Sequence, residues 1–342
     1  MPQRYYLFFI LSISLFFANC NKNNKILDLS SIDLEIDINR YEKKFFALDS
    51  NNLIFSLQEL RKEDSVFFDF YTIQVMRFGK ITDTVSPVIL SIDEFLTNKN
   101  VQELRDTVNN TFSNLAPLKI ELTAALKYFK YYFPNKQIPE IRTIISEFGY
   151  NAVSLDSTYL VFGLDMYLGK DFKYYGSFDF PNYIIKRFEK DYMVSNAMEV
   201  IYKQYFEESE LLNTKALVYA MIEHGKKLYF LESMMPEKDK HLLIGYTKKQ
   251  MAWCEESEAD IWAFYNEQDL FYSKSYMEHK KHVEDGPQTS GMPKEAPGNV
   301  GSWVGWQIVN QYMKNAQEKV SLAQLLKTDA ETIMNKSKYK PK

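Results

Sequence analysis

Alternating apolar and polar residues predict a strand near the start of the chain. From residue 32 to residue 38, Ile and Leu occupy the even positions and Asp and Glu the odd ones, which is the period of a half-buried strand. Asn39 is placed to cap a following helix that includes Tyr41, Phe45 and Leu48. Further along, residues 141–145 predict another strand, and an Asp-Ser turn joins a strand pair over residues 151–164.

Helical periodicity dominates the rest of the chain. Apolar residues recur at helical spacing from Leu118 to Phe133, and Pro134 ends that helix. Later helices are predicted over residues 193–206, 216–234, 247–265 and 302–313. A small sheet with helices before and after it is typical of the α+β class. The sequence therefore predicts a mostly helical α+β fold with a small central β-sheet, in a single domain over residues 31–342.

The first twenty residues have the pattern of an export signal. Arg4 supplies positive charge, Leu7–Phe17 is a short apolar core, and Cys20 lies where the chain turns polar. Eleven helical residues span about 16 Å, roughly half the hydrocarbon thickness of a bilayer. The arrangement resembles a bacterial lipoprotein signal. We predict a signal peptide over residues 1–19, a lipidated Cys20 held by the lipid bilayer, and a polar tether over residues 20–30.

Charge and cysteine content narrow the functional classes. Lys and Arg number 41 against 45 Asp and Glu, so the formal net charge is −4, which argues against a dedicated nucleic-acid binder. Of the 2 cysteines, Cys20 is assigned to lipid, so no disulfide within the chain is expected. Cys254 falls in a helical pattern and is predicted to be a buried, small apolar residue.

No complete set of catalytic or metal-binding residues is recognisable. A zincin-type zinc site needs HExxH, and in the one similar frame Met198 and Tyr202 stand at the two histidine positions. His279 and His282 lie among lysines and predict a solvated basic face. Neither a catalytic residue nor a metal or other cofactor is therefore expected. A ligand site that includes Glu223, His224 and Glu258 stays open as an alternative.

A long irregular segment precedes the last long helix. Residues 285–301 contain four glycines and three prolines, and loops of this length in compact domains are usually functional or mobile. In the helix that follows, Gly301 and Gly305 lie one turn apart beside Trp303 and Trp306, and Ser302 is placed to cap it. Two interpretations stay open: a core helix that packs closely through its glycines, or an exposed aromatic interface that binds a partner through these four residues.

Motifs spread over essentially the whole chain are unusual in combination. They are Gly163–Lys170, Met221–Phe230, Trp253-Cys254 with Glu258, Ile261 and Trp262, the Gly286-Pro287 loop, Pro297–Val309 and Ser337–Pro341. In these motifs the chain resembles the GldB family of gliding motility lipoproteins of Bacteroidetes. The resemblance implies a cell-envelope lipoprotein needed for gliding, with partners among envelope proteins linked to the type IX secretion system. It brings no defined reaction.

Two functions follow from the resemblance. The first is a non-enzymatic scaffold or assembly component, anchored to the outer or inner membrane and facing the periplasm, because Asn21–Lys25 lacks the acidic residues that mark surface export in such lipoproteins. The alternative rests on a more distant likeness to zinc peptidases and is a zincin-like metal-dependent hydrolase or a ligand-binding protein with a non-standard site. The fold would then resemble a degenerate zincin without its zinc histidines.

Overall fold

The computed structural model of the chain describes residues 27–81, 86–206 and 216–342. The predicted signal peptide, Cys20 and residues 21–26 of the predicted tether lie outside the described residues. Among the residues that are described, no helix is both long and apolar enough to cross a bilayer.

A mixed four-stranded sheet lies at the centre of the fold in the order β1-β2-β4-β3. The strands are β1 Ile38–Arg40, β2 Glu140–Ile144, β3 Ala152–Leu155 and β4 Tyr159–Gly163. Strands β1, β2 and β4 are parallel, with Ile38 opposite Ile141 and Ile141 opposite Leu160. Strand β3 is antiparallel to β4. The strand pair and the strand at residues 141–145 are thus confirmed.

The two faces of the sheet belong to different hydrophobic clusters. Side chains alternate along β4, so Tyr159 and Val161 face one cluster while Leu160 and Phe162 face the other. The first cluster lies mainly under the N-terminal helices. These are α1 Tyr41–Phe46, α2 Leu53–Glu63, α3 Ser65–Asp69, which continues into a π-helix over Phe70–Val75, and α4 Pro87–Thr97.

The second and larger cluster joins the opposite face of the sheet to the later helices. Among the described residues these are α5 Lys99–Thr111, α6 Ala116–Tyr132, α7 Asn182–Ile185, α8 Met193–Phe206, α9 Leu217–Met234, α10 Lys240–Ile244, α11 Lys248–Glu256, α12 Glu258–Glu267, α13 Tyr276–Val283, α14 Val300–Asn315, α15 Leu322–Lys327 and α16 Ala330–Ser337. The predicted α+β class, mostly helical with a small central sheet, is confirmed.

Two predicted elements are wrong in their extent. Residues 32–37 have the predicted alternation in burial, with Ile36 buried and Glu35 exposed, but they pair with no strand in the described part of the chain, and the ladder begins at Ile38. Asn39 consequently lies inside β1 and does not cap α1. The predicted helix over residues 247–265 is two helices separated by Ser257. An apolar period that continues across a one-residue break cannot reveal that break.

Helices α9 and α14 approach each other through glycine. Gly225 of α9 faces the Gly305 backbone, and a Cβ on Gly305 would overlap the carbonyl of Met221. Because both glycines lack a side chain, the two backbones come into direct contact, as small residues permit. This pair of helices forms the centre of the larger cluster and fixes one wall of the cavity described next.

Candidate functional site

A cavity of about 190 Å³ opens beside α8 and α9. Its wall combines residues before α8, one face of α8 and of α9, the end of α10, and the two ends of the long loop between α13 and α14. Its lining residues are Arg187, Tyr192, Ser195, Asn196, Glu199, His224, Lys227, Leu228, Leu231, Leu242, Leu243, Ile244, Gly245, Val283, Glu284, Asp285, Asn299 and Ser302. On α9 the lining positions are His224, Lys227, Leu228 and Leu231, which share one face of the helix because residues three and four apart are neighbours on its surface.

Arg187 joins three of the segments that form the cavity. Its two terminal nitrogens donate to the Asp285 carboxylate at 2.7 and 3.0 Å, and its Nε donates to the Gly245 carbonyl at 3.3 Å. Such a bidentate pair fixes orientation as well as charge. Gly245 ends α10 in the left-handed region at φ 78°, and a side chain there would overlap the guanidinium. Glycine is therefore favoured at this position, because a side chain there would displace Arg187 and strain the backbone.

Asn299 completes this network from the start of α14. It has a left-handed backbone at φ 53°, which asparagine tolerates, and its Nδ2 donates to Asp285 Oδ1 at 2.9 Å. The residue is 7% exposed, and its Oδ1 is buried with no hydrogen-bond partner within the described part of the chain. A buried amide oxygen without a donor is unfavourable by about 1–3 kcal/mol.

Glu199 and His224, which line the cavity, both have a lowered pKa. Burial opposes ionisation of Glu199, but Lys227 and Lys203, at 2.9 and 3.3 Å from its Oε1, outweigh burial and lower its pKa to about 2. Burial and then the charge of Lys227 lower the pKa of His224 to about 3. At neutral pH the site therefore presents a carboxylate and an uncharged imidazole.

The alternative ligand site of Glu223, His224 and Glu258 is not assembled as one site. His224 lines the cavity, whereas Glu223 points to Lys226 at 2.9 Å and Glu258 accepts a hydrogen bond from the Tyr339 hydroxyl at 2.6 Å. Over residues 27–81, 86–206 and 216–342, no group of three or more His, Cys, Asp or Glu side chains could hold a metal ion.

The prediction of an exposed aromatic interface on α14 is wrong. Trp303 and Trp306 are 2% and 1% exposed, and Gly301 and Gly305 are buried as well. The close approach of α9 removes this face of α14 from solvent, and the Trp306 Nε1 donates to Glu232 at 3.0 Å. The other interpretation, a core helix packed through its glycines, is the one observed.

Two further predictions, for Ser302 and for the histidines of α13, are also wrong. Ser302 does not cap α14; Asn299 occupies the N-cap position and the Ser302 hydroxyl donates to the Val283 carbonyl at 2.7 Å. His279 and His282 are buried instead of forming a solvated face. His279 contacts the Ser273 carbonyl at 2.8 Å and stabilises the turn before α13. His282 contacts the Tyr265 hydroxyl at 3.3 Å and stabilises the packing of α13 on α12.

Sequence reasoning missed most of the cavity. Arg187, Asn299 and Asp285 are far apart along the chain, and their pairing depends on how the helices pack. One local signal existed, because Asp285 and Asn299 lie at the two ends of the segment that its glycines and prolines mark as irregular. The predicted loop over residues 285–301 is confirmed almost to the residue, since α13 ends at Val283 and α14 begins at Val300.

The fold and the site define a helix-rich α+β protein with a small polar cavity bordered by a structured loop. A family model described as gliding motility protein GldB matches residues 22–341 of the chain. The chain therefore belongs to this family of gliding motility lipoproteins, and the resemblance seen in its motifs is confirmed. No curated protein and no solved structure matches the chain significantly. The likeness to a degenerate zincin stays a prediction.

Proposed function

We propose that the chain is anchored in the cell envelope by lipid on Cys20, faces the periplasm, and serves gliding by holding partner proteins rather than by catalysing a reaction. The observation that carries this proposal is the family match over residues 22–341, which extends over nearly the whole chain. The proposed partners are envelope proteins of the gliding and type IX secretion machinery.

Exposed apolar side chains before and at the start of α13 support a function by contact. Tyr272, Tyr276 and Met277, which we name the tyrosine patch, are 72%, 44% and 63% exposed within six residues of chain. Tyrosine and methionine are enriched at protein interfaces relative to the rest of the surface. A partner that covers this patch would bury apolar area that otherwise faces water.

Charge around the tyrosine patch favours an acidic and apolar partner segment. Lys274 is exposed between its members, and Lys280 lies 4.8 Å from the centre of the Tyr276 ring and 3.9 Å from the Glu284 carboxylate. The nearby carboxylate Glu278 is already paired with Lys281 at 2.7 Å. Complementary charge of this kind raises the association rate and the specificity more than the affinity.

The test combines a motility readout with crosslinking in living cells. Cells that carry Tyr272→Ala/Met277→Ala are expected to spread poorly and to lose crosslinks between this chain and gliding machinery proteins. The matched control is Phe55→Ala/Leu90→Ala, which removes apolar groups of similar exposure from α2 and α4. Both variants must accumulate to wild-type amounts. Normal spreading and unchanged crosslinks in the patch variant would contradict the proposed contact surface.

A further inference from the structure

Helix α6 carries apolar residues on its outer face as well as on the face that packs into the core. Residues three and four apart share one face of a helix, and five positions with this spacing lie on the outer side of α6. We name them the α6 stripe: Pro117, Ile120, Ala124, Lys127 and Tyr131. Ile120 is 72% exposed and Tyr131 is 47% exposed. Apart from Lys127, the stripe is thus apolar or aromatic over about 21 Å of helix.

The segment that leads from the predicted anchor meets the body of the protein beside the start of this stripe. Asp37 lies 2.8 Å from Lys119, the residue before Ile120. Arg40 Nη1 donates to the Phe112 carbonyl at 2.5 Å, four residues before α6 begins. Three side chains of the same segment pack against the larger cluster, to which α6 belongs: Leu27, Leu29 and Leu34. Residues 27–40 therefore lie next to the N-terminal end of α6.

The length of chain before Leu27 limits how far this region can lie from a bilayer. If Cys20 carries the lipid, as proposed above, the seven residues 20–26 reach at most about 25 Å when fully extended. A folded domain of this size has a radius of gyration of about 20 Å and a diameter of about 50 Å. Leu27 consequently cannot lie on the side of the body that is turned away from the bilayer. The surface around residues 27–40 and the start of α6 is held near the lipid head groups.

The side chains of the stripe suit a head-group region. Tyrosine is enriched where membranes meet water, because its ring is apolar and its hydroxyl is polar. A lysine beside such a face can lay its methylenes on lipid while its ammonium reaches the phosphates. Lys119 and Glu121 are each paired with an oppositely charged side chain. In the described part of the chain, Lys127 and Lys130 form no ion pair with a carboxylate, so both can attract anionic lipid.

We propose that the α6 stripe lies against the surface of the bilayer that holds the lipid on Cys20. Ile120 and Tyr131 enter the boundary between head groups and acyl chains, and Lys127 and Lys130 contact anionic phosphates. This inference rests on the lipid anchor proposed above and adds a second, non-covalent contact to it. The second contact fixes the orientation of the body, which a tether alone leaves free to turn.

The depth of single spin labels tests this orientation. Full-length lipidated protein with Ile120→Cys or Tyr131→Cys is labelled with a nitroxide and reconstituted into liposomes of phosphatidylethanolamine and phosphatidylglycerol. The matched control is Leu90→Cys on α4, where the side chain is 61% exposed. Because an interfacial helix lies about 5–10 Å into the boundary, the ratio of collisions with oxygen to collisions with a water-soluble nickel complex should be about threefold or more higher at both stripe positions than at residue 90. Protein without an added cysteine gives the background, since Cys254 is buried.

Flotation of the liposomes separates this proposal from the anchor on which it rests. Protein that floats but has the same collision ratio at residues 120, 131 and 90 would keep the anchor, overturn the membrane contact and leave the stripe to a partner protein. Dipolar broadening between labels at residue 120 would assign the stripe to a second copy of the chain and overturn the proposal as well. Protein that does not float would overturn the anchor and the contact together. Thermal unfolding checks that the variants, all at exposed positions, are folded.

Discussion

The position of Arg142 in the core depends chiefly on one half-buried carboxylate. Its guanidinium stacks between the rings of Phe67 and Tyr159 at 4.3 and 4.4 Å and forms an ion pair with Asp64. Because the Arg142 side chain is 7% exposed, water cannot replace that carboxylate. Asp64→Asn keeps the oxygen that caps α3 but leaves the cation with one carboxylate partner, the mostly exposed Glu140 at 3.2 Å. We expect it to lower the free energy of unfolding by about 3 kcal/mol, as measured by urea denaturation.

A similar pair on the surface supplies the control. Asp69 accepts two hydrogen bonds from Arg61 at 2.9 and 3.0 Å. The Arg61 and Asp69 side chains are 41% and 35% exposed, so water reaches both charges. Exposed pairs of this kind contribute about 0–1 kcal/mol, so Asp69→Asn should have a small effect. Equal losses in the two variants would show that burial of Arg142 is not the cause.

His224 makes stability depend on pH in a defined direction. Its pKa is lowered to about 3 in the folded chain, whereas an unfolded histidine titrates near 6.5. Between these values the unfolded chain binds a proton that the folded chain does not, so the stabilising contribution is complete above about pH 6.5 and is lost as pH falls toward 3. His224→Gln should therefore lose less thermal stability than wild type between pH 7.5 and pH 4.5. Parallel Tm curves for the two proteins would contradict this.

At the scale of elements, the contact of α9 with α14 leaves no room for a single added methyl group. A Cβ at residue 305 would overlap the Met221 carbonyl, which belongs to a helix backbone and cannot rotate away. Gly305→Ala must therefore separate two helices whose contact lies at the centre of the larger cluster. We expect a loss of about 3 kcal/mol or more in unfolding free energy, measured by urea denaturation and by the loss of near-UV dichroism.

Gly176 provides the matched glycine for comparison. It lies in the short 3₁₀-helix Tyr175–Ser177, and a Cβ there would meet no atom within 4 Å. Gly176→Ala should be neutral or slightly stabilising, because alanine restricts the unfolded chain more than glycine does. If Gly305→Ala proves as harmless as Gly176→Ala, the glycine contact does not hold the two helices together.

Elements that local chemistry defines could be predicted from sequence, and their mutual arrangement could not. Helix α6 follows from its apolar period and from Pro134, and the bounds of α8 agree with the prediction at both ends. The same period gives no information on which helix covers which face. Trp303 and Trp306 are equally compatible with a core or an interface until α9 is placed against α14. The cavity was missed for the same reason, because its polar groups meet only through tertiary packing.

At the scale of the whole molecule, the candidate functions occupy different places. The cavity is formed by α8, α9, α10 and the ends of the long loop, whereas the tyrosine patch lies before and at the start of α13. The membrane anchor is predicted at Cys20, outside the described residues. The three features can therefore be changed one at a time, and a variant of one reports on that feature without altering the other two.

Anchoring of the whole molecule to the membrane is predicted to depend on the Cys20 sulfur. If Cys20 carries the lipid, several acyl chains hold the protein, since each buried methylene contributes about 0.8 kcal/mol and no described helix spans a bilayer. Cys20→Ser should abolish labelling by radioactive palmitate and move the protein out of the membrane fraction after carbonate washing. Cys254→Ala is the control, because this thiol is buried in the core and should not affect labelling. A Cys20→Ser protein that stays labelled and membrane-bound would place the anchor elsewhere, and a Cys254→Ala protein that loses its label would show that the assay reports folding instead of acylation.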